Sequence, residues 1–334
     1  MRIVIAGAGA IGGFIGARLA RAGVDVVLFA RGPHLRAMQD RGLEVSSSEG
    51  DFHVKPEVAG DLAAIGRADV VVLAVKAHSL TALAPQLPPL FGPDTVVVST
   101  QNGVPWWYFQ GHGGEMDGLR LERVDPGGVV ASAIEPRRIV GSLVYLSTDI
   151  AAPGVIHHTE GNRISFGEPS GERSDRVKAI AEALIAAGFR CPITTRFRHE
   201  IWVKLLGNVA FNPISALTGT TLEQLVRHPE TARLAREMMA ETQAVAAKLG
   251  IELPISIDQR MAGAEKAGAH KTSMLQDLEA GRPMELEAVV GAVVELGDRL
   301  AVPMPATRAV YACARLLDDR RGKHVVARAE PVRA

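Results

Sequence analysis

The first hundred residues alternate between short continuous apolar runs and stretches with helical spacing. Residues 2–6 (RIVIA) predict a buried strand, and a glycine-rich turn, a helix to about Ala22 and a second strand at 24–29 follow it. Continuous apolar strands joined by a helix are typical of a parallel sheet that is covered on both faces. Further strands of this sheet are predicted at 69–75 and 95–99, and short edge strands within 43–58.

The pattern weakens between residues 106 and 167. Residues 106–128 are rich in glycine and predict an irregular insertion, in which Trp106-Trp107-Tyr108 can form either a packing cluster or a lid. Residues 129–167 predict several short β-like stretches. A helix over about 172–187 and a strand near Arg190 then complete the first domain.

From Arg198 onward the spacing of apolar residues becomes helical, with prolines between the helical segments, where proline is tolerated. The pattern therefore predicts a sheet-containing α/β domain over 1–196, an all-helical domain over 197–320 and a flexible tail over 321–334. The predicted helical segments are 198–211, 229–249, 256–268, 284–301 and 304–318.

Composition and charge narrow the class of protein. Lysine plus arginine and aspartate plus glutamate both number 37, so the chain as a whole lacks the basic character of a nucleic-acid-binding protein. No apolar run approaches the ~18 residues of a membrane span, and glycines interrupt the apolar start, which therefore does not resemble a signal peptide. Cys191 and Cys313 lie far apart and predict no disulfide framework, so we expect a cytoplasmic protein.

The turn after the first strand reads Gly7-Ala8-Gly9-Ala10-Ile11-Gly12, a GxGxxG pattern between a strand and a helix. In such a turn Gly7 permits the tight bend, Gly9 lets the backbone approach a pyrophosphate, and Gly12 lets helix and strand pack closely. The pyrophosphate is then bound by free backbone N–H groups at the helix N-terminus. A glycine-rich packing turn is the alternative. The motif and its context predict a Rossmann-type dinucleotide-binding domain.

The residue type at the end of the second strand bears on which dinucleotide binds. NAD-binding domains usually have an acidic residue there for the ribose hydroxyls, whereas this chain has Phe29-Ala30-Arg31. A guanidinium suits a 2′-phosphate, so Arg31 predicts NADP, unless it is only a surface arginine. Lys76 and Asn102 each follow an apolar strand and are expected at the same ligand-binding edge, although either alone could be a turn residue.

The helical domain carries a polar stripe on an otherwise apolar segment. Lys204, Asn208 and Asn212 are spaced four apart and share one helix face. The stripe is either the wall of a cleft, in which the ammonium protonates a carbonyl oxygen, or a narrow strip that faces solvent. Ser273 with Gln276 predicts a capping box, and Glu285 suits a first helical turn. The ten histidines show no metal-binding spacing, and no metal is expected.

Taken in order, these segments resemble the ketopantoate reductase (2-dehydropantoate 2-reductase) family over nearly the whole chain. The most specific parts are GAGAIGG at 7–13, QNG at 101–103, WVKLLGN at 202–208, NPISAL at 212–217, TSMLQD at 272–277 and MELE at 284–287, together with Arg31 and Lys76. The pattern departs from the family at His270 and near Leu222, where the family has asparagines.

The resemblance implies NADPH-dependent reduction of ketopantoate to pantoate, on the route to pantothenate and coenzyme A. It implies that Lys204 is the general acid and that Glu285 engages substrate or cofactor. It places Asn102, Asn208, Asn212 and Ser273 around the substrate, and Arg31, Lys76 and Asn102 with the glycine-rich turn around NADP. The sequence does not identify an arginine for the substrate carboxylate.

Several alternatives remain open at this point. The substrate can be another 2-oxo acid, and a 3-hydroxyacid dehydrogenase also joins a Rossmann domain to a helical one, although the TSMLQD segment is evidence against it. A non-catalytic NADP-binding sensor is a third alternative. No nucleic acid or membrane partner is expected, and the assembly, with a homodimer as one alternative, is left open.

Overall fold

The computed structural model describes residues 1–329, with side chains up to Arg320. The chain folds as two compact units. Met1–Arg120 and Asp125–Arg198 form the first, and Leu121–Val124 with the residues from His199 onward form the second. The predicted tail, 321–334, has a helical backbone to Ala329 and otherwise lies outside the described residues. None of the described helices is long and apolar enough to span a membrane.

The first unit is built on one nine-stranded sheet with the order β4-β3-β9-β8-β7-β6-β1-β2-β5. From β5 through to β8 all neighbours are parallel, β8 and β9 are antiparallel, β3 joins β9 in parallel, and β4 ends the sheet antiparallel to β3. The strands are β1 (Arg2–Ala6), β2 (Asp25–Phe29), β3 (Leu43–Ser47), β4 (Phe52–Val54), β5 (Glu57–Ala59), β6 (Ala68–Leu73), β7 (Phe91–Ser99), β8 (Ile139–Ala152) and β9 (Val155–Gly167).

The helices of this unit pack on the sheet through apolar faces. Phe14, Ile15 and Leu19 of the first helix are buried in the same core as Ile3, Ile5 and Leu28 of the sheet. The helices are α1 (Ala10–Arg21), α2 (Gly32–Arg41), α3 (Leu80–Leu83), α4 (Val129–Ala133) and α5 (Asp175–Ala186). The predicted edge strands of 43–58 are present, but β3 and β4 lie at one edge of the sheet and β5 at the other.

The β-structure predicted within 129–167 is confirmed from Ile139 onward, but its division into several short stretches is wrong. The structure has the short helix α4 and then one long hairpin, β8 with β9, of 14 and 13 residues. The first part of β8 and the last part of β9 are buried, and the remainder of β8 is partly or fully exposed. The first half of β9 alternates, with Ile156 and His158 buried and His157 between them exposed. An exposed ladder needs no apolar alternation, so the sequence pattern did not reveal its length.

Residues 106–128 contain turns and short 3₁₀ segments, yet their aromatic side chains belong to the core. Trp106, Trp107, Tyr108 and Phe109 are 5%, 1%, 0% and 1% exposed. The aromatic run is therefore a packing cluster. Its neighbour is Phe197, whose ring lies 6.0 Å from that of Trp107.

Phe197 occupies a gap made by two glycines. Gly141 of β8 and Gly167 of β9 are directly opposite each other in the hairpin. A Cβ at Gly141 would lie 2.7 Å from Cδ1 of Phe197, and a Cβ at Gly167 would lie 2.6 Å from its Cβ. The absence of side chains at both positions is what lets this phenylalanine pack against the sheet.

The second unit is helical and has its own apolar core. Leu206, Phe211 and Ile214 pack with Met238 and Met239 at its centre. The helices are α6 (Phe197–Thr218), α7 (Leu222–Arg227), α8 (Pro229–Lys248), α9 (Ile257–Lys266), α10 (Ser273–Glu279), a π-helical turn (Glu287–Gly291), α11 (Ala292–Arg299) and α12 (Pro305–Ala329). Capping boxes fix the starts of α7, at Thr221 with Gln224, and of α9, at Ser256 with Gln259.

We predict that Gly167→Ala destabilises the protein by ~1–3 kcal/mol, because the added methyl group overpacks the space that Phe197 fills. Gly263→Ala is the matched control. Gly263 lies in α9 with open space where a Cβ would be, and alanine should stabilise that helix by about 0.5–1 kcal/mol. Urea unfolding of both variants measures the difference. Equal stabilities would show that the Gly141–Gly167 gap does not constrain packing.

Candidate functional site

The glycine-rich turn connects β1 to α1, and each of its glycines has a distinct environment. Gly7 has φ +113°, and a Cβ there would lie 2.9 Å from the backbone nitrogen of Val75. A Cβ at Gly12 would lie 2.8 Å from Cβ of Ala74. At Gly9 a Cβ would meet nothing within 4 Å. Gly7 and Gly12 are therefore required by packing, whereas Gly9 borders open space that a ligand can approach.

The N-terminus of α1 has the features of an anion site. Gly9 is its N-cap, and in the described chain no side chain caps this helix and its first turn contains no acidic residue. Backbone N–H groups and the positive end of the helix dipole therefore point toward the open space beside Gly9. The backbone N–H of Ala8 donates to the carbonyl of Phe29 at 2.7 Å, which ties the turn to β2. These features fit the pyrophosphate of a dinucleotide.

A histidine that the sequence analysis did not select lies behind this turn. His34 of α2 accepts a hydrogen bond from the backbone N–H of Gly154 at 3.0 Å through Nδ1. Burial lowers the pKa of His34, and a backbone hydrogen bond with Ala8 opposes that shift. A neutral ring therefore supports the turn without adding a positive charge. No motif in the sequence identifies such a position, because the contact joins residues from different elements.

Arg31 lies at the N-cap of α2, directly after β2, and its side chain is exposed. Its guanidinium packs 5.2 Å from the centre of the Phe29 ring, and its Nη2 donates to Oε1 of Gln86 at 3.0 Å. Gln86 is itself held, since its Nε2 donates to the carbonyl of Ala82 at 2.7 Å. The guanidinium thus lies at the end of the second strand, and its contact with a ribose phosphate stays a prediction.

Lys76 and Asn102 follow the ends of β6 and β7, which are adjacent parallel strands. Both side chains are partly buried. Gln101 joins the two strand ends, because its buried amide donates to the carbonyls of Leu73 at 2.8 Å and Val75 at 3.1 Å. In the sequence Gln101 stands out only as part of the QNG motif. These hydrogen bonds fix the backbone next to Lys76 and Asn102.

In the second unit, α6 presents the predicted polar stripe. Lys204 and Asn208 are partly buried, and Asn212 is only 5% exposed. Burial lowers the pKa of Lys204 to about 8, while the charge of Glu285 opposes this shift and that of Arg260 adds to it. An ammonium with a pKa near 8 remains mostly protonated at neutral pH and is a far stronger acid than an ordinary lysine.

Glu285 is therefore an electrostatic partner of Lys204, although the two are 81 positions apart in the printed sequence. It directly precedes the helical residue Leu286, and its carbonyl accepts from the N–H of Val289 at 3.2 Å. The π-helical turn Glu287–Gly291 follows at once. Such turns occur often at functional sites, and this one begins two residues after Glu285.

Ser273 is exposed and is the first residue of α10. The predicted capping box from Ser273 is wrong. Thr272 is the N-cap, and its Oγ1 accepts from the N–H of Leu275 at 3.2 Å. The amide of Gln276 instead donates to the carbonyl of Lys271 at 3.0 Å. With Thr272 as the cap, the Ser273 hydroxyl is not needed for capping.

Arg260 of α9 was not selected from the sequence. A Cβ at Gly207 of α6 would lie 2.6 Å from its Cζ, so the guanidinium rests directly on the backbone of α6. His270 is partly buried, and its carbonyl accepts from the N–H of Leu222 at the start of α7. Among the described residues, His, Cys, Asp and Glu side chains form no group of three that could hold a metal ion.

Comparison with known proteins places these two units in one family. The model of ketopantoate reductase PanE/ApbA matches residues 3–171, and the model of its C-terminal domain matches residues 196–318. The chain is 51% identical over 323 residues to a 2-dehydropantoate 2-reductase of Mesorhizobium japonicum, covering 96% of this chain and 99% of that protein.

Two further relatives agree with this result. A 2-dehydropantoate 2-reductase of a Nostoc species is 30% identical over 327 residues, which is 96% of each chain. The crystal structure of a protein assigned as a ketopantoate reductase from Ralstonia solanacearum superposes with a TM-score of 0.92 at 40% identity, and covers 96% of this chain and 98% of that one. This chain belongs to the ketopantoate reductase family.

Proposed function

We propose that this protein reduces ketopantoate to pantoate with NADPH. The observation that carries the proposal is the electrostatic coupling of Lys204 and Glu285 on the helical unit, with the Lys204 pKa near 8. A reductase of a 2-oxo acid must deliver a proton to the carbonyl oxygen, and a partly buried lysine with a lowered pKa suits that task. Family membership supports the same substrate and cofactor.

The residues of the first unit suit the cofactor. The turn at Gly7, Gly9 and Gly12 with the uncapped start of α1 would hold the pyrophosphate, and Arg31 with Lys76 would hold the 2′-phosphate. NADPH, when bound, supplies the hydride that is added to C2 of the oxo acid. Asn102 stands on the backbone that Gln101 fixes and would orient the nicotinamide and substrate.

The residues of the second unit supply the proton and orient the substrate. Lys204 Nζ carries the proton that moves to the carbonyl oxygen as that oxygen becomes an alcohol. Glu285 keeps the ammonium protonated, since its charge favours the cationic form. Asn208 and Asn212, one and two turns further along α6, would donate and accept hydrogen bonds to the substrate, and Ser273 would add its hydroxyl.

A second candidate is the reduction of another 2-oxo acid by the same residues. His270 stands where the family has an amide, and the residues near Leu222 also depart from its pattern. A panel of 2-oxo acids assayed for NADPH oxidation distinguishes these substrates. Turnover in that assay would also exclude a non-catalytic NADP-binding sensor, because a sensor retains binding without oxidation.

We also propose a cytoplasmic location. Both cysteines are free thiols, and burial raises the pKa of Cys191 to about 12, which makes it unreactive. Free thiols suit a reducing compartment. The balanced charge supports a small-molecule substrate over nucleic acid as partner. For the assembly, size-exclusion chromatography with light scattering distinguishes a monomer from a homodimer.

We expect Lys204→Ala to lower kcat by about a hundredfold to ten-thousandfold, the range for loss of a general acid. Fluorescence titration with NADPH should give an unchanged Kd, because the glycine-rich turn belongs to the first unit. Lys178→Ala is the control, since that exposed lysine of α5 pairs only with a neighbouring surface aspartate in the contacts described. Near-normal turnover of Lys204→Ala would restrict Lys204 to a structural role.

The pH profile should report the Lys204 proton. Because the general acid must be protonated, kcat/KM should be level below pH ~8 and fall above it. Glu285→Gln removes the charge that raises the Lys204 pKa, so the fall should begin at lower pH. If the unmutated protein and Glu285→Gln lose kcat/KM over the same pH range, the titrating group is not Lys204.

Cofactor preference should depend on Arg31. Arg31→Ala should raise the KM for NADPH by about tenfold to a hundredfold, which corresponds to the loss of a charge-assisted hydrogen bond, and leave the KM for NADH nearly unchanged. Arg36→Ala, at an exposed position on the same helix, is the control. If the unmutated protein used both cofactors equally, the assignment of NADP would be wrong.

A further inference from the structure

Two charged side chains of the second unit, Glu285 and Arg260, interact electrostatically with Lys204. Glu285 contributes one negative charge, and Lys204 and Arg260 contribute two positive charges. The two neighbouring positive charges of Lys204 and Arg260 favour an anionic group beside them. A 2-oxo acid carries one carboxylate at neutral pH, which is such a group.

The position of Arg260 is defined by α6. Its guanidinium rests on the backbone at Gly207, where a Cβ would come within 2.6 Å of Cζ, and Cζ lies 5.8 Å from the centre of the Phe211 ring. Residues 204, 207, 208 and 211 share one side of a helix. Arg260 therefore lies on the same side of α6 as Lys204 and Asn208, between the levels of Lys204 and Phe211.

We propose that Arg260 binds the carboxylate of the 2-oxo acid substrate and so makes the enzyme selective for acids. This inference rests on the proposed function. A guanidinium donates two parallel hydrogen bonds to a carboxylate, a geometry that a lysine cannot reproduce. Gly207 matters in this arrangement because only a residue without a side chain lets the guanidinium approach the helix so closely. The carbonyl at C2 is then held beside the Lys204 ammonium.

A purely structural role is the competing explanation, in which Arg260 only joins α9 to α6. The two explanations differ in their dependence on substrate charge. If Arg260 has only a structural role, its substitution should lower activity equally with every substrate. A variant that lacks a carboxylate-binding group should impair the acid selectively and spare its uncharged ester.

The first experiment compares ketopantoate with its methyl ester for the unmutated enzyme, Arg260→Ala and Arg260→Lys. We expect Arg260→Ala to raise the KM for the acid by about tenfold to a hundredfold, with little change for the ester. Arg260→Lys should recover only part of the loss, because lysine keeps the charge without the paired geometry. Arg233→Ala is the control, since Arg233 is an exposed arginine of α8 that pairs with Glu230 and Glu237.

The second experiment displaces the guanidinium without removing it. Gly207→Ala should also raise the KM for the acid, while the melting temperature stays equal or rises, because alanine is a better helix former than glycine. A third readout is the pH profile. Since the charge of Arg260 lowers the Lys204 pKa, Arg260→Ala should move the descending limb of kcat/KM to higher pH, opposite to Glu285→Gln.

An acid-to-ester ratio of kcat/KM that is unchanged in Arg260→Ala would overturn the inference and leave the proposed function intact. Conversely, if the unmutated enzyme prefers another 2-oxo acid to ketopantoate, the proposed substrate is wrong. The same ratio, measured with that acid and its ester, then still tests Arg260.

Discussion

The proposed chemistry depends on one unfavourable placement, the ammonium group of Lys204 on an apolar helix. Most of α6 is buried, and the same burial that stabilises the second unit removes water from Lys204. Desolvation disfavours the charged form, and this is the largest cause of the lowered Lys204 pKa. Glu285 limits the shift so that the proton is retained near neutral pH. The apolar packing of α6 and the acidity of the Lys204 ammonium therefore have the same cause, and a change in one alters the other.

Glycines make the second recurrent constraint, because they let groups approach more closely than any side chain permits. Gly7 and Gly12 bring β1, α1 and the residues after β6 together, and Gly207 admits the Arg260 guanidinium to the surface of α6. Opposed glycines in β8 and β9 accommodate Phe197. In each case a neighbouring group occupies the space of the missing side chain, and Gly7 is required in addition by its φ of +113°. Gly9 differs, since the space beside it is open.

The spacing of apolar residues predicted those elements that depend on contacts between residues close in the sequence. The strand, glycine-rich turn and helix at residues 2–21 follow from apolar runs and one motif, and helical spacing placed Lys204 and Asn208 on one face. The length of the hairpin β8–β9 was missed because the later part of β8 has no buried residues and so no clear apolar pattern. Ser273 was taken for the cap that Thr272 provides. Two features depend on contacts between positions far apart in the sequence: Leu121–Val124 belong to the second unit, and Arg260 contacts Gly207. The periodicity of apolar residues carries no information on such contacts.

The proposed reaction accounts for the residue types around Lys204 through the charges that it must stabilise. An arginine at position 204 could not release a proton near neutral pH, because a guanidinium stays protonated in proteins. A histidine, with an ordinary pKa near 6.5, would be largely neutral and without the proton. A lysine whose pKa is lowered to about 8 is protonated before the reaction and acidic enough to give the proton up. Arg260, which cannot release its proton, is suited to the opposite task of keeping its positive charge throughout. In the proposed reaction Lys204 and Arg260 are therefore not interchangeable, because the first changes its charge during turnover and the second does not.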